Sequence, residues 1–135
     1  MHLPALGNNR GFGALIAVLV LGAIVTSVAA YMILIGIDIS RTGVALEASA
    51  KAKALSAACV EEGIEKIRES IVFAGSGSLI IGDGSCSYTV TNTGGTNRTI
   101  TSTGTVGDLV RKSKATINGI NPTINVASWQ ELADF

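Results

Sequence analysis

Residues 11–37, GFGALIAVLVLGAIVTSVAAYMILIGI, run without a single charged side chain. Apolar letters fall on every face of a 3.6-residue period, so the pattern predicts a helix surrounded by a nonpolar medium rather than one buried along a stripe. At 1.5 Å per residue it extends about 40 Å, which exceeds the roughly 30 Å hydrocarbon core of a bilayer. From Asp38 the pattern becomes amphipathic. Leu46, Ala50, Ala54 or Ala57, Val60, Ile64, Ile67 and Ile71 recur at steps of three, four or seven, predicting one apolar stripe on a helix that ends around Phe73-Ala74-Gly75. Glu47 with Lys51 and Glu62 with Lys66 stand acid-first at i,i+4, the favourable order. Gly36 and Gly43 are candidate flexing points near the exit from the apolar run. A continuous helix from Phe12 to Phe73 would be a rod of about 90 Å; the alternative is a membrane span followed by a separate soluble helix, with a break near Asp38.

Past GSGS the period changes to two. CSYTVT (86–91) alternates, with Cys86, Tyr88 and Val90 on one face and Ser87, Thr89 and Thr91 on the other, as in a half-buried strand. RTITSTGTV (98–106) and LVRKSKATI (109–117) predict further strands, separated by a loop over NTGGTN (92–97) and a turn at Gly107-Asp108. Leu79-Ile80-Ile81 predicts a short leading strand before Gly82-Asp83-Gly84. The tail, with Pro122, Trp129, Leu132 and Phe135, reads as a final strand and turn anchoring the C-terminus, against the alternative of an exposed recognition patch. A small antiparallel sheet needs cover on its apolar face, and the stripe from Leu46 to Ile71 supplies it. The fold class is therefore α+β: a long N-terminal helix whose second half packs on a small antiparallel sheet.

Composition locates the apolar excess. Of 135 residues 47% are hydrophobic and 15% charged, and the surplus lies before residue 38, leaving one small domain after it. Ten acidic and ten basic residues cancel, and no basic block calls for a nucleic acid. Cys59 and Cys86 are too few for a zinc site, since the only histidine is His2. On the exported side of a membrane the pair reads as one disulfide, against the alternative of two buried thiols. Cys59 lies more than a quarter turn from the centre of the predicted stripe, so the bond requires the 75–85 connection to wrap the helix flank.

The entrance to the apolar run sets its fate. A cleavable secretory signal has an apolar region of only about 7–15 residues; here the run continues past Ala29-Ala30 through Tyr31 to Ile37. Arg10 precedes the span and Arg41, Lys51 and Lys53 follow it, so charge leaves the orientation open. The polar leader MHLPALGNNRG ends in a basic residue and a glycine directly before Phe12. This junction, followed by the apolar helix, resembles the prepilin signal of type IV pilins and pseudopilins. The resemblance implies that a membrane prepilin peptidase cuts between Gly11 and Phe12, that Phe12 becomes a methylated N-terminus, and that the helix stays on the mature chain. The family usually carries glutamate as the fifth mature residue, where this chain has Ile16; the departure points to a minor or tip subunit.

The resemblance thus implies a leader at 1–11, an assembly and transmembrane half at 12–37, a solvent-side half of the helix at 38–74 and a sheet head at 75–135. It implies as partners other pilin subunits, the prepilin peptidase, an inner-membrane assembly platform and, before assembly, the lipid bilayer. The expected location is a single-pass cytoplasmic-membrane protein with its C-terminal domain outside, and an extracellular filament afterwards. DNA or a surface ligand is unsupported by these residues. No Ser/His/Asp set, phosphate loop or dinucleotide fingerprint is present, and no catalytic residue, cofactor or metal is expected. Glu61, Glu62, Glu65 and Glu69 are interleaved with Lys66 and Arg68 and read as a solvated face; Asn97-Arg98-Thr99 fits the glycosylation sequon, a short motif often met by chance. Two functions remain: a filament subunit, or a single-pass anchored surface domain that binds as a monomer.

Overall fold

The computed structural model describes residues 8–133, with side chains from residue 11 onward; most of the leader, His2 included, and Phe135 lie outside the described residues. One helix, α1 (Asn8–Glu69), is followed by five strands, β1 (Gly75–Ile81), β2 (Gly84–Gly94), β3 (Asn97–Val106), β4 (Leu109–Gly119) and β5 (Asn125–Leu132). The chain divides into two compact units, one up to Gly43 and the other from Val44 onward.

The first unit is the N-terminal part of α1, unbroken at Gly36 and Gly43. An 18-residue window in this helix reaches a mean hydropathy of 2.5 with none of it buried. The Thr26 and Ser27 hydroxyls inside the run are satisfied without water. Thr26 Oγ1 donates to Gly22 O at 2.9 Å and to Ala23 O at 3.0 Å, and Ser27 Oγ donates to Ile24 O at 2.8 Å. Back-bonding of this kind removes the cost of placing a hydroxyl in a medium that offers no partner.

In the second unit the outer part of α1 covers a five-stranded antiparallel meander in the order β1-β2-β3-β4-β5. Three two-residue connections make the hairpins tight. Gly82 (φ 62°) and Gly107 (φ 57°) open the turns Gly82-Asp83 and Gly107-Asp108, each taking the positive φ that a short hairpin demands and that glycine adopts without steric cost. The expected loop over 92–97 contracts to Gly95-Thr96, because Asn92 Oδ1 accepts the Gly94 N–H at 2.9 Å and Gly94 and Gly95 both adopt positive φ. The β4–β5 connection contains a cis Asn121–Pro122 bond.

Strand pleating sorts the sheet into two chemically distinct faces. Towards α1 lie Cys86, Tyr88 and Val90, then Ile100, Ser102 and Val106, then Ser113, Ala115 and Ile117, all buried. On the other face stand Ser85, Ser87, Thr89 and Thr91 opposite Thr105, Thr103, Thr101 and Thr99, a hydroxyl surface that stays in water. This alternation is the period-2 signal of the sequence made physical.

Two expectations need correction. The helix ends at Glu69 rather than near residue 74. Ser70 N–H donates to Lys66 O at 3.0 Å and Phe73 N–H to Ser70 O at 2.9 Å, so the chain leaves the helix through a turn. The buried stripe is also rotated. Leu46 is 67% exposed and Ile71 44% exposed, while Ala50 and Ala54 face solvent. The face that meets the sheet is Ala52, Leu55, Ser56, Cys59, Val60, Gly63 and Ile67. The apolar count placed Val60 and Ile67 on this face, with Ile64 partly buried beside it, but it passed over Ala52, Leu55, Ser56, Cys59 and Gly63, most of them small residues that let helix and sheet backbones come together.

Candidate assembly helix and the core that carries the head

Gly11 and Phe12, the proposed cleavage junction, lie within α1 and are exposed, and a side chain added at Gly11 would meet nothing within 4 Å. Ile16, at the position where the resembled family carries a carboxylate, is an exposed apolar residue on the same helix. Phe12, Leu15, Ile16, Val18, Leu19 and the further Leu, Ile and Val side chains through Ile37 are all exposed. Burying each is worth about 1.5–3 kcal/mol, so together they place on the order of 20 kcal/mol or more on finding a nonpolar environment. This surface offers packing and dispersion, with no charged side chain to pair.

The head is organised around a close approach. A Cβ added at Gly104, in the middle of β3, would collide with Ala52 O and would lie 2.6 Å from Ser56 N; here the strand rests on the helix backbone itself. Beside it three buried hydroxyls close a polar cluster. Ser56 Oγ donates to Ser113 Oγ at 2.6 Å and lies 3.0 Å from Ser102 Oγ, which donates to Ser56 O at 2.7 Å. A serine inside a core costs little when its hydroxyl is met, and these three meet one another.

Cys59 and Cys86 form a disulfide with Cα atoms 6.1 Å apart and a sequence separation of 27. Their pairing agrees with the expectation, but its route differs: Cys59 lies at the centre of the buried helix face, so residues 75–81 form a strand instead of wrapping the flank. The bond joins α1 directly to β2.

Arg98 is the buried cation of the head. Its Nη2 donates to Ile71 O at 2.7 Å and its Nε to Phe73 O at 3.3 Å, holding the turn that follows α1. Its Nη1 reaches Asn92 Oδ1 and Gly95 O, both at 2.9 Å, and Asn97 O at 2.8 Å. One guanidinium therefore ties the helix exit to the β2–β3 hairpin. Within the sequon, Asn97 is exposed while Arg98 turns inward.

Charges at the surface are arranged as local pairs. Glu131 on β5 bonds Lys53 of α1 at 3.0 Å and Arg111 of β4 at 3.4 Å. Lys51 is raised above the ordinary lysine range chiefly by its hydrogen bond to Glu47, with the charges of Glu47 and Asp83 adding to it. Lys66 is raised in the same way by its bond to Glu69. The acidic run 61–69 is thus a solvated, internally paired face: Arg68 also meets Glu65 at 3.1 Å. Among the described residues no three His, Cys, Asp or Glu side chains are grouped so as to hold a metal ion.

Gly104, Arg98 and the three serines were not singled out by sequence reasoning. Only Gly104 left a trace: a glycine inside a β-branched strand marks close backbone approach. Comparison with known proteins finds no family model, no curated protein and no solved structure that matches this chain.

Proposed function

We propose that the chain is a structural subunit of a type IV pilus or related pseudopilus or secretion filament, polymerising through the apolar part of α1. The observation that carries this reading is the Arg10-Gly11-Phe12 step at the mouth of a helix that has no charge as far as Ile37 and continues as the helix covering the sheet. Prepilin peptidase cuts after Gly11, Phe12 becomes the methylated N-terminus, and an inner-membrane platform transfers the subunit from the bilayer to a filament outside. The same side chains serve lipid first and neighbouring helices afterwards. Because both media are apolar, the transfer gains little hydrophobic free energy and rests on packing between helices.

Ile16 supports a minor or tip position. A carboxylate there would cost about 2.5–3.5 kcal/mol in the membrane and be recovered by pairing with the amino group of a neighbouring subunit. Isoleucine forgoes both, so no charge pair fixes its register among identical copies. The role is structural, with no chemistry assigned to the chain.

The test is Gly11→Val in the producing cell, a substitution with open space around it. The expected result is a chain that keeps its leader, remains in the membrane and is missing from isolated filaments. Normal processing and assembly of that variant would overturn the proposal in favour of a monomeric anchored domain.

A further inference from the structure

The two edges of the sheet are protected very differently. On β5 the pairing with β4 is irregular at two places, between Thr116 and Ile117 and between Ile117 and Gly119, and Glu131 holds Lys53 and Arg111. Irregular pairing and charge are the usual devices that stop an edge from recruiting another strand. On β1 neither is present. Its seven residues, GSGSLII, include no charge and no proline, and they pair with β2 in unbroken register from Gly75↔Val90 to Ile81↔Gly84. Its other side has no strand neighbour.

An edge of this kind presents a row of backbone donors and acceptors that another extended backbone can meet in register. Its exposed side chains narrow the choice. Ile80 is 84% exposed and Ile81 51% exposed, whereas the first half of the strand is Gly75, Ser76 and Gly77. Reversed about Ser78, the strand is complementary to itself. Gly75 then faces Ile81, Ser76 faces Ile80 and Gly77 faces Leu79, so each large side chain lies opposite a small one. Gly77 is already covered on the helix side by the Tyr88 ring, which a Cβ there would meet at 2.6 Å. Leu79 of the incoming strand would lie beside that ring.

We infer that β1 is a docking edge for a second copy of this chain, paired antiparallel β1 to β1 about Ser78. The contact is isologous and closes after two copies; it is separate from polymerisation through α1 and does not rest on it.

Single-cysteine chemistry tests the register, because the only two native cysteines are joined to each other. Directly opposed residues in an antiparallel pair have Cα atoms about 4.5–5.5 Å apart, within disulfide range. The full chain in detergent micelles is oxidised mildly as Ser78→Cys, as Ser76→Cys mixed with Ile80→Cys, and as Asn118→Cys on β4 for random collision. The expected result is a disulfide-linked dimer for Ser78→Cys and a mixed dimer for the 76/80 pair, both well above the Asn118→Cys level. Adding Ile80→Lys, a change at a solvent-facing position of the single copy, should abolish the Ser78→Cys dimer. Equal cross-linking at residues 78 and 118 would show contact through the helices only, and no cross-linking would show no contact; either overturns the β1 pairing. Neither bears on processing at Gly11.

Discussion

Gly104 decides how closely the sheet lies on its helix. A methyl group there must displace helix backbone rather than a movable side chain, and backbone on both sides cannot yield. Gly104→Ala should therefore lower stability by at least the roughly 1–3 kcal/mol typical of overpacking, read as a fall in the urea midpoint with the disulfide intact. An unchanged midpoint would mean that strand and helix are not in backbone contact. Arg98 is the second such residue. Arg98→Met keeps the aliphatic stem but leaves Ile71 O, Phe73 O, Gly95 O and Asn97 O without this donor. Charge-assisted bonds contribute about 1.5–3 kcal/mol each, and water can replace part of that set. The expected loss is on the order of 3 kcal/mol, with faster amide exchange in the β2–β3 hairpin as its local signature. Gly104 hints at its role only as a glycine inside a strand of β-branched residues; Arg98 reads as a surface residue in a threonine-rich strand, and all but one of its partners are backbone carbonyls, which every residue has.

At the scale of elements, the strands were legible because alternation and Gly-Asp turns each report a single local cause. Cys86, Tyr88 and Val90 face the core as their spacing requires. The helix face was less legible. Apolar periodicity placed Val60 and Ile67 correctly but ran the stripe through Leu46, Ala50 and Ile71, which are exposed, and passed over Ala52, Leu55, Ser56, Cys59 and Gly63. That error also displaced Cys59 and made the disulfide look awkward. With Cys59 central, the bond closes a loop between α1 and β2 that contributes about 3.5 kcal/mol in the chain-entropy model. Reduction should lower the stability of the head by about that amount, measured as the difference in urea unfolding with and without reductant, at a pH where thiols stay reduced. Equal midpoints would show that the pair adds nothing. The proposed cleavage point rests on three adjacent letters, Arg10-Gly11-Phe12. No contact can report it, because the junction is exposed and its meaning lies in an enzyme that would read it.

For the whole molecule, one chain combines an apolar helix that cannot remain in water with a stapled head whose second face is covered in hydroxyls. The proposed function would give that combination a history: a leader removed at the cytoplasmic face, an anchor that becomes an assembly element, and a head left outside. Fold alone is compatible with a simple anchored domain, so the distinction falls on the N-terminus of the native protein. Mass spectrometry of chain purified from the producing cell tests it most directly. The account predicts a mature N-terminal peptide that begins at Phe12 and carries one methyl group on its amino nitrogen. A chain that still begins with the leader residues, or one cut after Ala30 as a secretory signal would be, would contradict it.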